Sequence, residues 1–135
     1  MNTNKIIYDL KDSVGYITLN NPSKMNCMGF ELLNQLNQTI DEVIKDSSVK
    51  VIVFQGAGVR AFSTGADLKE FTSLSDSNLK KWIELGHEIF NKIENLGKPT
   101  IAFINGYALG GGLELALACD FRIGTKTTVL GSPEL

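Results

Sequence analysis

Histidine and tryptophan occur once each, cysteine twice and proline three times. Each scarcity closes a class of function. Two cysteines, Cys27 and Cys119, allow at most one disulfide, and both sit beside apolar residues, so buried free thiols are expected. A single histidine, His87, leaves no His-based metal set, and a Ser-His-Asp hydrolase would have to use it although nothing around it fixes its position. Basic residues are not in excess: 13 Lys and Arg stand against 15 Asp and Glu, a formal charge of -2. That balance argues against nucleic acid or an anionic membrane as the main partner. Long apolar runs are also missing. The longest candidate, "LELALAC" at 113–119, is too short to span a membrane and contains Glu114. The opening "MNTNKIIYDL" lacks the apolar stretch of a secretory signal, so a cytoplasmic chain is expected.

What is present is alternating order. "IIYDL" and "VGYITLN", joined by "KDS", are expected to form a hairpin. After a turn-rich stretch at 21–29, Phe30, Leu33, Leu36, Ile40, Val43 and Ile44 recur at helical spacing. "VKVIVFQG" and "TIAFING" have the continuous apolar character of buried strands. Asp67 is expected to open a short helix. A long helix follows, with Ser75 to Asn78 as cap candidates and Gly97 as the stop. "DFRIG" and "TTVLG" are expected as further strands. Strand, glycine-containing loop and helix thus recur at 49–74 and 100–119, an α/β architecture with right-handed crossovers expected. Trp82, Phe90 and Phe71 are read as core aromatics, and His87 as a helix-surface or half-buried residue.

Chemistry gathers around the glycine loops. "GAGVRA" at 56–61 matches a loose dinucleotide fingerprint, but the residues after it break any helix within a turn, so the required context fails. "GYALGGG" at 106–112 is not a P-loop, since no Gly-Lys-Ser/Thr follows. It does lie between a strand and a helix. There, glycine lets free backbone N–H groups approach an oxygen that turns negative during reaction. Tight packing of the helix start against a sheet explains the same glycines equally well. Glu114 favours the first reading. It interrupts a segment that is apolar on all sides and therefore expected to be buried. A desolvated carboxyl holds its proton more tightly, which suits it to proton transfer near neutral pH. "STGAD" at 63–67 repeats the device, so Ala66 or a neighbour is a candidate for a second N–H donor. Glu134, held out of a helix by Pro133, is a weaker second carboxylate.

"AFSTGADLKE", "KPTIAFINGYALGGGLELALACDFRIG" and "GSPEL", in this order and spacing, resemble the enoyl-CoA hydratase/isomerase (crotonase) family. The resemblance implies the ClpP/crotonase fold, an α/β spiral of β-β-α units. It also implies that 1–135 is the N-terminal part of an incomplete domain, cut before the C-terminal helices of a homotrimer or hexamer. The implied substrate is an acyl-CoA thioester, with no cofactor beyond the coenzyme A it carries and no metal. By motif position, the N–H groups of Ala66 and Gly111 would hold the thioester oxygen. Glu114 would activate water at C3, and Glu134 would deliver a proton to C2. Lys24, Met25, Asn26, Asp67, Leu68, Gly110 and the two donor residues match the segments that contact the CoA thioester. Other chemistries of the same family remain open: isomerase, dehydratase, hydrolase or decarboxylase. So do a non-catalytic acyl-CoA-binding or interaction protein and an RNA-binding side role, against which the acidic balance counts.

Overall fold

The computed structural model describes residues 4–134. Strands β1 (Ile6–Lys11) and β2 (Val14–Leu19) form the expected hairpin. Asp12 and Ser13, at φ 50° and 65°, make its two-residue turn. Positive φ at both positions matches the twist of the strands it joins. Helix α1 (Phe30–Lys45) follows and buries Leu33, Leu36, Ile40 and Val43 of the expected stripe together with Leu32, while Phe30 is half-buried and Ile44 is exposed. Lys98 donates to the carbonyls of Val43 (2.7 Å) and Asp46 (2.6 Å), placing its cationic group at the C-terminal end of α1.

The next two units each hold two strands before their helices. They are β3 (Val51–Gly56), β4 (Ala61–Ser63), α2 (Leu68–Ser73) and α3 (Asp76–Glu94), then β5 (Thr100–Ile104), β6 (Tyr107–Leu109) and α4 (Gly111–Ala118). β7 (Phe121–Gly124) and β8 (Val129–Gly131) follow. The first strand of each pair joins a five-stranded sheet, β1-β2-β3-β5-β7, parallel apart from β1. The second joins a three-stranded parallel sheet, β4-β6-β8. The repeat read from the sequence as strand, loop, helix is therefore strand, strand, helix. The segments 57–67 and 106–110, expected as loops, contain β4 and β6. Three residues are too few to show an alternating pattern, and only pairing with a neighbouring strand defines them.

The helix starts follow their capping residues. The Asp67 carboxylate accepts the Glu70 N–H and the Ser75 hydroxyl accepts the Asn78 N–H. Lys92 on α3 reaches Asp41 (2.9 Å) and Asn37 (2.8 Å) on α1, pinning the two helices side by side. Phe54, Phe62, Ile17, Leu36, Ile52 and Ile89 are fully buried where sheets and helices meet. Phe103, Tyr107, Leu117, Phe121, Ile123, Val129 and Leu130 are exposed, concentrated on α4 and the strands of the last two pairs.

Both cysteines are free and buried, as expected. Burial pushes the Cys119 thiol up to about 12. Burial, reinforced by the Asp67 charge, also raises Cys27. Thiolate is the reactive form. Neither thiol should therefore react with Ellman's reagent in the folded protein, and both should react in denaturant. Rapid labelling of one thiol under native conditions would show that its packing opens.

Candidate active site

Two glycine-containing turns leave adjacent strands at matching positions. In the parallel pairing of β4 with β6, Ser63 lies opposite Ala108. Ala66 lies three residues beyond the first and Gly111 three beyond the second. The turns meet. A methyl group built on Gly65 would fall 2.8 Å from the Gly111 nitrogen, and one on Gly111 would fall 4.0 Å from the Ala66 nitrogen. Gly65 (φ 88°) and Gly110 (φ 51°) supply the left-handed backbone these turns require. Gly112 packs so closely on the Ser63 carbonyl that a side chain there would collide with it. The packing reading holds for Gly112, while Gly111 opens α4 with an N–H that has no partner among the described residues. Among the described residues, the Ala66 N–H has no hydrogen-bond partner either.

Those two N–H groups lie in the wall of a cleft of about 400 Å³. Met28, Ala66 and Gly111 line one side, and Glu114 and Glu134 stand in the same cleft. Glu134 reaches it because its carboxylate lies over Gly110, 2.5 Å from where a Cβ would stand. The cleft thus holds two main-chain donors and two carboxylates. Such a set can stabilise a developing oxyanion and exchange protons beside it.

Glu114 differs from the expectation in one respect: its side chain is exposed. α4 is not buried on all sides, since Glu114 and Leu117 (57% exposed) face outward while Leu115, Ala116 and Ala118 face the core. Glu134 is exposed too.

The expected CoA-contact segment divides. Lys24 is exposed and pairs with Asp67 at 3.5 Å. Desolvation raises the Asp67 carboxyl, but the Glu70 N–H and the Lys24 ammonium outweigh it and hold the group below its ordinary value. Leu68 is 71% exposed and lines the cleft. Met25 is half-buried. Asn26 is a correction. It is fully buried, and its side-chain amide is engaged with protein groups rather than offered to a ligand.

The far wall was not assigned to a site from sequence. Phe71 and Trp82 meet edge to face, with ring centroids 5.6 Å apart, and line the cleft with Phe90 and His87. The aromatics are half-buried, neither full core nor free surface. A signal was present in Gly86. A glycine inside a helix costs about 1 kcal/mol relative to alanine, and a Cβ there would meet nothing within 4 Å because it faces this space. Among the described residues, no group of three or more His, Cys, Asp or Glu could hold a metal ion, and no helix is long and apolar enough to cross a membrane.

The chain is similar to known proteins along nearly its whole length. The chain is 36% identical over 135 residues to a short-chain-enoyl-CoA hydratase of Clostridium acetobutylicum, covering 100% of this chain and 52% of that protein. It is 35% identical over 130 residues to a crotonyl-CoA hydratase of Syntrophomonas wolfei, covering 96% and 50%. The solved structure of an enoyl-CoA hydratase from Bacillus anthracis superposes with a TM-score of 0.93 at 36% identity, covering 96% of this chain and 51% of that one. The chain therefore spans about half the length of the curated relatives it matches, and its β-β-α spiral is the crotonase fold. The family model for enoyl-CoA hydratase/isomerase matches residues 9–135, and the chain belongs to that family.

Proposed function

We propose that the whole protein carrying this chain adds water across the double bond of a 2-enoyl-CoA thioester. The observation that carries this reading is the convergence of two unpartnered N–H groups, from Ala66 and Gly111, in a cleft that also holds two glutamates. Hydration of an α,β-unsaturated thioester moves electron density onto the carbonyl oxygen. Preorganised donors at that oxygen supply the largest share of the acceleration. Glu114 takes a proton from water as the water oxygen bonds to C3. Glu134 gives a proton to C2, and the C2–C3 double bond becomes single. The mechanism needs no metal and no redox cofactor. Coenzyme A enters as part of the substrate, with Lys24, Asp67 and Leu68 beside its path.

The relatives named as hydratases support this choice over isomerisation, hydrolysis or decarboxylation. The exposed apolar side chains on α4, β7 and β8 fit burial against further chain or against other copies, in keeping with a homotrimer or hexamer. Light scattering on the whole protein measures that directly. A cytoplasmic location fits the same reading. The test of activity follows the conjugated-thioester absorbance of crotonyl-CoA. Rapid loss is the expected result. Tight binding without loss would reject hydration in favour of another reaction of the family.

The aromatic wall sets acyl preference in this reading. Trp82→Ala removes one partner of the Phe71 stack and widens the cleft. The ratio of kcat/KM for long over short 2-enoyl chains should rise roughly tenfold, the scale at which apolar pockets discriminate size. An unchanged ratio would place the acyl chain elsewhere.

A further inference from the structure

The buried amide of Asn26 joins the turn at 21–28 to the strand that carries the first oxyanion donor. We infer that Asn26, acting with the Ser63 hydroxyl, is a positioning residue that fixes where the Ala66 N–H points. This rests on the reading of Ala66 and Gly111 as donors to the thioester oxygen.

The connections can be followed atom by atom. Asn26 has a left-handed backbone (φ 54°) and is fully buried. Its Nδ2 donates to the carbonyls of Ala61 (2.8 Å) and Ala57 (3.0 Å), on either side of the bend between β3 and β4. Its Oδ1 accepts the Asn21 N–H at 2.9 Å. Both donor hydrogens of the amide are used and the side chain is fully buried, so it has no donor to offer a substrate. The Asn26 carbonyl accepts the Ser63 hydroxyl at 2.8 Å, and the Ser63 oxygen in turn accepts the Gly65 N–H at 3.2 Å.

From there the segment 25–28 runs beside 64–67. The Thr64 N–H donates to Met25 (3.1 Å), Met28 donates to Gly65 (2.6 Å), and Asp67 donates back to Met28 (3.2 Å). The residues on both sides of Ala66 are therefore clamped, while Ala66 lines the cleft and its N–H has no partner among the described residues. Fixing a donor through its neighbours keeps its own hydrogen free for substrate. Removing Asn26's amide leaves two carbonyls and one N–H without partners and frees the turn to shift against β4. A displacement on the order of 1 Å at a reacting group can cost about a hundredfold in rate.

The test measures the thioester C=O stretch of carbonyl-labelled crotonyl-CoA bound to the whole protein, alongside kcat and Kd. Wild type should shift the stretch to lower frequency, because two N–H donors polarise the bond. Asn26→Ala and Ser63→Ala should lose most of that shift. Their kcat should fall by on the order of 10²-fold, with Kd for crotonyl-CoA changed only a few-fold. Asn105→Ala is the control: it removes a bond to the Gly58 carbonyl (2.8 Å) in the same loop but has no link to 25–28. It should keep the shift. If Asn26→Ala fails to fold, Ser63→Ala, which removes a single hydroxyl, decides. A full shift and full kcat in Ser63→Ala, or no shift in wild type, overturns the inference. The spectrum needs no turnover. A wild type that binds and polarises crotonyl-CoA without hydrating it would reject the hydration reading, while the variants would still judge this one.

Discussion

Glu114→Gln should abolish most hydration while leaving the protein folded. Glutamine keeps the shape of the side chain and removes the group that exchanges a proton. General acid–base catalysis by a placed carboxyl contributes about 10²–10⁴-fold, and kcat for crotonyl-CoA should fall by that factor. The fold has no reason to respond. Glu114 is exposed on α4, and the residues beside it that hold the helix down are Leu115, Ala116 and Ala118. Substitutions at such exposed positions rarely move stability. Thermal unfolding and acyl-CoA binding, measured on the same preparation, should match wild type. Turnover within a few-fold of wild type would remove Glu114 from the mechanism.

Gly111→Pro should have the second largest effect, and through the main chain. Proline in the first turn of a helix is tolerated because its nitrogen has no helical partner to lose. A Cβ at this position meets first the end of the Met28 side chain, 3.0 Å away, which can move. What disappears is the N–H proposed to receive the thioester oxygen. Loss of one such donor costs about 10²–10³-fold in kcat. Binding of a saturated acyl-CoA should suffer far less, because the donor acts most strongly on the charge that develops during reaction. Equal losses in binding and turnover would mean that the loop had been disrupted instead.

The two expectations differ in how far the sequence supports them. α1, α3, β3 and β5 follow from spacing and continuous apolar runs, and Asp67 and Ser75 mark helix starts by their own chemistry, whereas α3 ends at Glu94 with Asn95 as its cap, before the expected stop at Gly97. The motif positions of Ala66, Gly111, Glu114 and Glu134 come from resemblance, and the structure brings all four to one cleft. What escaped is tertiary in origin. β4 and β6 exist only as partners of one another. The exposure of Glu114 depends on what packs against α4, and one helix's composition does not record that. Asn26 sits in a turn-rich stretch and reads as surface, yet Ala57 and Ala61 close over it from more than thirty residues away. Gly86 was the missed local clue, a helical glycine facing open space.

The matching three-residue offsets of Ala66 and Gly111 from paired positions on β4 and β6 have a longer reach. Neighbouring strands lie about 4.8 Å apart wherever a sheet forms, so the β4–β6 pairing starts the two turns side by side and brings Ala66 and Gly111 close together. The gauge of the proposed anion site is thereby set by main chain and is indifferent to most side-chain replacement. The wall proposed to receive the acyl chain, by contrast, is built of side chains: Phe71, Trp82, His87 and Phe90. Substrate range can drift by ordinary point mutation while the charge-stabilising element stays in tolerance. A scaffold divided in this way can diversify in what it accepts without having to reinvent how it reacts.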